Sequence, residues 1–160
     1  MDKDGEITQK INNLPTFSFP KPPTQAEFDE LIKIFWYRAQ WAAKRLRRGE
    51  LWVGKRSCDT TMKELLLTMI EWHTRASNGW DYDTWHRGSF LEEWASPRII
   101  EKLQNIYAHY NEKDAWDALT ETINLFRLLS SELAELLNYQ YPIKIDEFVT
   151  KLVNDIRLLN

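Results

Sequence analysis

The residues from Asp114 to Asn138 carry the strongest structural signal in this sequence. Apolar side chains recur there every three or four positions, the spacing that places them on one face of an α-helix. The stripe comprises Trp116, Leu119, Ile123, Phe126, Leu129, Leu133 and Leu137. A helix with such a face is stable when other elements cover it. The stretch therefore predicts a central buried helix around which the rest of the chain packs.

The segments around this stretch also predict helices. The sequence "TQAE", beginning at Thr24, is typical of a capping box, and Gly49 is a suitable end for the helix that follows. A second long helix is predicted from Glu50 to Ala76, two shorter ones at "SFLE" and "SPRII", and a last one from Ile145 to Leu158. Neither an alternation of strands and helices nor a hairpin signal is present. We predict an all-α fold, a single helical-bundle-like domain of about five to six helices.

The first 23 residues differ in composition from the rest. Their prolines, Pro15, Pro20, Pro22 and Pro23, fix extended backbone geometry and remove hydrogen-bond donors. Residues 1–23 are therefore expected to form an extended arm or linker from a further domain, and residues 24–160 the helical domain.

A dense cationic run lies in an acidic chain. It comprises Lys44, Arg45, Arg47, Arg48, Lys55 and Arg56, interleaved with tryptophans, whereas the formal net charge of the chain is −3. Cations in the last turn before Gly49 stabilise the negative end of the helix dipole. The same explanation does not cover Lys55 and Arg56. A local basic patch on an acidic chain argues against general nucleic-acid binding and predicts one small anionic partner.

The residue types of metal and catalytic sites are scattered along the chain. Cys58 has no second cysteine to pair with, and the three histidines are too far apart for a helical metal pair. Nucleotidyltransferases of the polymerase-β type place a Gly-Ser turn before an Asp-x-Asp pair, but "DYD" at Asp81–Asp83 precedes "GS" at Gly88–Ser89. We therefore predict no metal site and no self-sufficient catalytic centre.

The N-terminal sequence and the hydropathy of the chain predict where in the cell the protein is found. "MDKDGEITQK" is charged where a secretory signal would be apolar. No apolar run approaches the length of a membrane span. We expect a cytoplasmic protein that does not insert into a membrane.

Three blocks of the sequence carry a family resemblance. They are "FWYRAQWAAKRLRRGELWVGKR", "LLTMIEWH", and "DAWDALTETINLFRLLSSELAELLNYQYP" with its Leu-Phe-Arg and Tyr-x-Tyr-Pro landmarks. Together they resemble the helical C-terminal domain of the aminoglycoside 6-adenylyltransferases, the streptomycin-modifying enzymes. The resemblance extends from about Asp2 to about Arg157, and "DKDG" near the start is similar to that family's junction between its two domains.

The resemblance implies that this chain forms one half of an active site. In that family an N-terminal nucleotidyltransferase domain carries the Gly-Ser and Asp-x-Asp motifs, and the helical domain closes over it with ATP and the antibiotic between them. This chain lacks those motifs, so we expect ATP and Mg²⁺ to bind in a longer parent protein and neither to bind tightly to this chain alone. The expected partners are an aminoglycoside-like molecule and ATP, bound together with the missing domain.

The resemblance also implies roles for particular residues. Lys44, and Arg47 after it, are the expected nucleotide-binding cations, because positive charge can neutralise the triphosphate during adenylyl transfer. The expected acceptor-binding residues are Glu50, Glu71, Trp72, Trp80 and Asp81. Carboxylates and tryptophan rings suit a polycationic amino sugar. The segment "GWDYDTWHRGS" departs from the family pattern, so the resemblance does not fix the acceptor.

Other functions stay open at this stage. The chain could be a stand-alone helical module that docks on a separately encoded nucleotidyltransferase. An RNA-cleaving helical domain is a weaker alternative, because it typically needs an Arg and a His a few residues apart on one helix, and we do not expect such a pair to form a site here. A homodimer is also open, since a tryptophan-rich surface made for another domain could pair with itself.

Overall fold

The computed structural model describes residues 20–159. Their regular structure is helical throughout, in agreement with the all-α prediction. The helices are α1 (Gln25–Arg47), α2 (Leu51–Arg56), α3 (Lys63–Asn78), α4 (Leu91–Trp94), α5 (Pro97–Leu103), α6 (Glu112–Leu137) and α7 (Ile143–Leu158). A π-helical turn, Ser57–Met62, joins α2 to α3 without a break.

The predicted ends of α1 are confirmed. The Thr24 side chain accepts a hydrogen bond from the backbone N–H of Glu27, and the Glu27 side chain accepts one from the Thr24 backbone, so the capping box is complete. At the other end Gly49 has a φ of +74°, a conformation that glycine adopts without strain. This turn ends α1 and leads into α2. A Cβ on Gly54 of α2 would lie 2.7 Å from Leu46 Cδ2, so the absence of a side chain lets α2 lie against the end of α1.

Most of the arm predicted for residues 1–23 lies outside the described residues, as does "DKDG". Pro20–Pro23 carry no regular secondary structure. The buried Pro23 is attached to the domain, because its carbonyl oxygen accepts a hydrogen bond of 2.5 Å from the Tyr139 hydroxyl.

The core forms where α6 packs against α3 and α1, and α7 also packs against α1. The predicted stripe of α6 is buried from Trp116 to Leu133, and Leu137 at its end is half-buried. Phe126 of α6 stacks on Phe35 of α1 with 3.6 Å between ring centroids and 3° between the planes. The prediction of a central buried helix is therefore confirmed.

A buried ion pair fixes α7 to α6. Asp146 is almost completely buried, and both of its carboxylate oxygens accept hydrogen bonds from Arg127 Nε, at 2.7 and 2.9 Å. The Tyr141 hydroxyl donates a third, at 2.8 Å. A buried carboxylate is stable when it is paired and hydrogen-bonded in this way.

The structure corrects three predicted boundaries. Helix α6 begins at Glu112, because Asn111 is its cap and accepts a hydrogen bond from the Asp114 N–H. Helix α7 begins at Ile143, directly after Pro142. The helix predicted from Glu50 to Ala76 extends from Leu51 to Asn78 and contains a π-helical turn, a feature that the apolar periodicity of the sequence does not indicate. No helix within residues 20–159 is long and apolar enough to cross a bilayer.

Candidate functional site

An open groove follows the π-helical turn. It consists of two cavities of about 520 and 480 Å³ that share Asp59 in their walls. The larger cavity is lined by α3, by α4 and by the segments before α4 and after α5. The smaller cavity lies between α2 and the segment before α6. We refer to the two cavities together as the Asp59 groove. π-Helical turns are rare and occur frequently at functional sites, which makes this groove the leading candidate.

Asp59 has spare hydrogen-bonding capacity. Its Oδ2 accepts a hydrogen bond from Lys55 Nζ, one turn earlier in the helical run. Its Oδ1 is buried and has no hydrogen-bond partner among the described residues. Nearly all buried polar atoms in native proteins have a partner, so an unpaired carboxylate oxygen needs an explanation. A donor supplied by a bound molecule would provide one.

Lys63 holds the π-helical turn in place. The side chain is only 8% exposed, and its Nζ donates to Thr122 Oγ1 at 2.8 Å and to the Cys58 carbonyl oxygen at 3.1 Å. Cys58 Sγ lies 3.4 Å from the same nitrogen, and burial lowers the pKa of the Lys63 amine. Because its amine is engaged in these contacts, Lys63 attaches the turn to α6, and its side chain forms part of the wall of the larger cavity, with Nζ 5.2 Å from the centroid of the Tyr107 ring.

Three exposed aromatic rings surround the groove. Trp52 of α2 is 67% exposed and Tyr110 is 62% exposed, with 6.2 Å between their ring centroids and an angle of 63° between the planes. Both rings line the smaller cavity, and the exposed Tyr107 lines the larger one. Three of the eight tryptophans, Trp36, Trp94 and Trp116, are buried core residues. Trp52 differs from them because its ring faces the groove and solvent.

The cationic run divides into three parts. Arg45 pairs with Glu50 at 2.8 Å and lies 4.7 Å from the centroid of the Trp41 ring. Lys55 and Arg56 line the smaller cavity, so the charge beyond Gly49 does face a cavity. Lys44, Arg47 and Arg48 are exposed at the end of α1 and line neither cavity of the Asp59 groove.

The residues predicted from the resemblance for acceptor binding line neither cavity of the Asp59 groove. Glu50 directly precedes α2, and Glu71 lies on α3 in the same continuous helical run. At a rise of 1.5 Å per residue, their backbone positions are about 30 Å apart. Glu71 is half-buried, and burial raises the pKa of its carboxyl group, while nearby Arg75 and His86 oppose that rise. The structure therefore does not bring these two carboxylates together.

The aromatic and acidic residues after α3 occupy different environments. Trp72 packs against the core, Trp80 is half-buried, and Asp81 is exposed in the turn that ends α3. Asp83 Oδ1 accepts a hydrogen bond from the Trp85 backbone N–H at 2.8 Å, a local loop contact. No group of three or more His, Cys, Asp or Glu side chains within residues 20–159 is arranged to hold a metal ion.

Sequence reasoning missed Asp59, Tyr107 and Tyr110. Asp59 stands four residues after Lys55, a spacing that is typical of an ordinary surface ion pair. The two tyrosines lie in the segment between α5 and α6, and only the tertiary fold brings that segment beside α2. The part of the sequence that could have indicated a groove is "ELWVGKRSCD", because it combines a tryptophan with charged residues directly after the glycine turn.

The described residues thus define a class: an all-helical domain with one aromatic and charged groove along a π-helical turn. Comparison with known proteins makes this more specific, because a sequence model of the streptomycin adenylyltransferase family matches residues 1–156. The chain belongs to the streptomycin adenylyltransferase family.

Individual relatives agree with this assignment. An aminoglycoside 6-adenylyltransferase from Campylobacter jejuni is 27% identical over 154 residues, which cover 94% of this chain and 54% of the relative. One from Staphylococcus aureus is 24% identical over 142 residues, covering 89% and 50% respectively. The crystal structure of an aminoglycoside 6-adenyltransferase from Bacillus subtilis shares the fold with a TM-score of 0.79 and 25% identity, over 92% of this chain and 58% of that one. The chain spans about half the length of the curated relatives it matches.

Proposed function

We propose that this chain is the acceptor- and nucleotide-binding half of an aminoglycoside O-adenylyltransferase that confers resistance to a streptomycin-like antibiotic. The observation that carries the proposal is the family match over nearly the whole chain, which covers about half of each curated relative. The Asp59 groove supports it, because aromatic rings beside a carboxylate suit the ring faces and the ammonium or guanidinium groups of an aminoglycoside.

The proposed reaction joins an acceptor hydroxyl to the α-phosphate of ATP. The hydroxyl oxygen forms a bond to the α-phosphorus as its proton passes to a carboxylate base, the bond from that phosphorus to the bridging oxygen of the β-phosphate breaks, and pyrophosphate leaves. Mg²⁺ would neutralise phosphate charge in this step. Because the chain matches the streptomycin adenylyltransferase family and covers about half of its curated relatives, we assign Mg²⁺ coordination to a nucleotidyltransferase domain of a longer parent protein.

The residues of this chain would bind and orient the two substrates. We keep Lys44 and Arg47 as the proposed nucleotide-facing cations, because both are exposed and neither has a carboxylate partner within 4.0 Å in the described residues. Glu50, Glu71, Trp72, Trp80 and Asp81 remain proposed acceptor contacts. Of these, Glu71 has the environment of a proton acceptor with a raised pKa.

An adenylyl-transfer assay tests the proposed function. The chain alone, incubated with ATP, Mg²⁺ and streptomycin, is expected to give no adenylylated antibiotic by mass spectrometry. The chain fused to the part of the B. subtilis protein that it does not cover is expected to give product. Mixing the same two polypeptides without a covalent link tests whether the chain works as a separate docking module. Turnover by the chain alone, or a folded fusion without activity, would contradict the proposal.

A further inference from the structure

We propose that Asp59, together with the exposed rings of Trp52 and Tyr110, forms a subsite for a cationic ring of the acceptor. The inference rests on the proposed function and adds to it the residues that recognise the acceptor. It concerns the smaller cavity of the Asp59 groove, whose lining also includes Lys55, Arg56 and Ala108.

The first line of support is the state of the Asp59 carboxylate. Lys55 occupies Oδ2, and Oδ1 has no partner among residues 20–159. Both side chains of this pair are 20% exposed, so the ion pair borders the cavity without being sealed in the core. A lysine side chain is flexible, and its ammonium group can move aside for an incoming donor. An ammonium or guanidinium group of a ligand would then bind the accessible side of the carboxylate, at Oδ2, by a charge-assisted hydrogen bond.

The second line of support is the pair of exposed rings. Trp52 and Tyr110 contact each other at an angle and leave much of their apolar surface in water. Large aromatic side chains in contact with solvent beside a cavity are characteristic of ligand walls, because ring faces bind the apolar faces of sugars and cyclitols and attract cations. The cavity of about 480 Å³ has the size of a small-molecule site.

A third observation that favours the subsite is that the backbone carrying Asp59 is held in a fixed position. The π-helical turn that carries Asp59 is fastened to α6 by Lys63, which donates to Thr122 and to the Cys58 carbonyl. A binding group is most effective when the backbone beneath it is fixed before the ligand arrives. The buried Lys63 supplies this fixation at Asp59.

The cations in the groove would also suit a different ligand, one that carries phosphate groups. Arg56 is exposed in the smaller cavity, and Arg87 is exposed in the larger one. We favour the cationic ring at Asp59 because a carboxylate lines the cavity there, and it attracts an ammonium or guanidinium group and repels an ionised phosphate. Binding of inorganic triphosphate in place of streptomycin is therefore one outcome of the test.

Isothermal titration of streptomycin into the unaltered 160-residue chain, and into two variants, tests the subsite. Asp59→Asn keeps the shape of the side chain and removes its charge, and Trp52→Ala removes one wall. Each is expected to weaken binding by about ten- to a hundred-fold, because a hydrogen bond to a charged group or a ring contact is lost. Circular dichroism of each variant checks that the helical fold is retained.

Two substitutions on α7 serve as matched controls. Asp155 pairs with Lys151 at the same four-residue spacing as Asp59 with Lys55, and Phe148 is 67% exposed, the same fraction as Trp52. Asp155→Asn and Phe148→Ala are expected to change the affinity less than about two-fold. The subsite is wrong if the chain does not bind streptomycin, if Asp59→Asn binds as well as the unaltered chain, or if triphosphate alone binds. In each of these cases adenylyl transfer by the fusion still tests the proposed function separately.

Discussion

Replacing Phe126 by Ala is expected to lower the free energy of unfolding by about 3–5 kcal/mol. Phe126 is completely buried in α6 and its ring stacks on Phe35 of α1. The substitution removes the buried ring, leaves a cavity between the two helices and abolishes an aromatic pair, and each of these losses destabilises the folded state. Urea denaturation followed by circular dichroism measures the change.

Leu136 provides the matched control on the same helix. It lies ten residues further along α6 and is 49% exposed. Leu136→Ala is expected to change the free energy of unfolding by less than about 0.5 kcal/mol. Leu133→Ala, at a completely buried position, should cost about 2–5 kcal/mol. Equal stability of the Phe126 and Leu136 variants would show that the core does not lie along this stripe.

The double substitution Lys44→Ala and Arg47→Ala is expected to lower the rate of adenylyl transfer by about ten- to a thousand-fold. The measurement uses the active fusion with the B. subtilis protein, because the effect requires a complete active site. If the two cations face the triphosphate, their loss removes positive charge from the transition state. If they only stabilise the negative end of the α1 dipole, the rate stays unchanged and stability falls slightly.

Lys33 is the control for this double substitution. It is an exposed cation on the same helix and pairs with Glu30, at a distance of 2.8 Å. Lys33→Ala should leave the rate within about two-fold of the parent fusion. Normal kinetics after removal of both Lys44 and Arg47 would restrict their role to the helix end and would contradict the proposed nucleotide contact.

Local sequence patterns determined most of the fold. The capping box at Thr24, the glycine turn at Gly49 and the apolar stripe of α6 are each contained within one segment, so each could be predicted from spacing alone. The π-helical turn could not, because one inserted residue in a continuous helical run changes the hydrogen-bonding pattern without an obvious change in composition.

The groove was harder to predict than the fold. Its walls come from α2, from the segment before α6 and from the region around α4, which are distant in sequence. Lys63 illustrates the difficulty, since a lysine on a helix ordinarily predicts a solvent-exposed cation. Its burial depends on Thr122, 59 residues away in sequence. The sequence did indicate that Lys55 and Arg56 serve something other than the α1 dipole, and both line the groove.

Nuclear magnetic resonance of the ¹⁵N-labelled chain during a streptomycin titration tests most directly whether this chain forms the acceptor-binding surface. The indole N–H of Trp52 and the backbone amides of Asp59 and Tyr110 are expected to shift progressively and to saturate together. The amide resonance of Phe148 is expected to keep its chemical shift. Phe148 lies on α7, and its ring is as exposed as that of Trp52. Shifts confined to α7, or no saturable shift at any residue, would contradict the assignment of the Asp59 groove as the acceptor-binding surface of this chain.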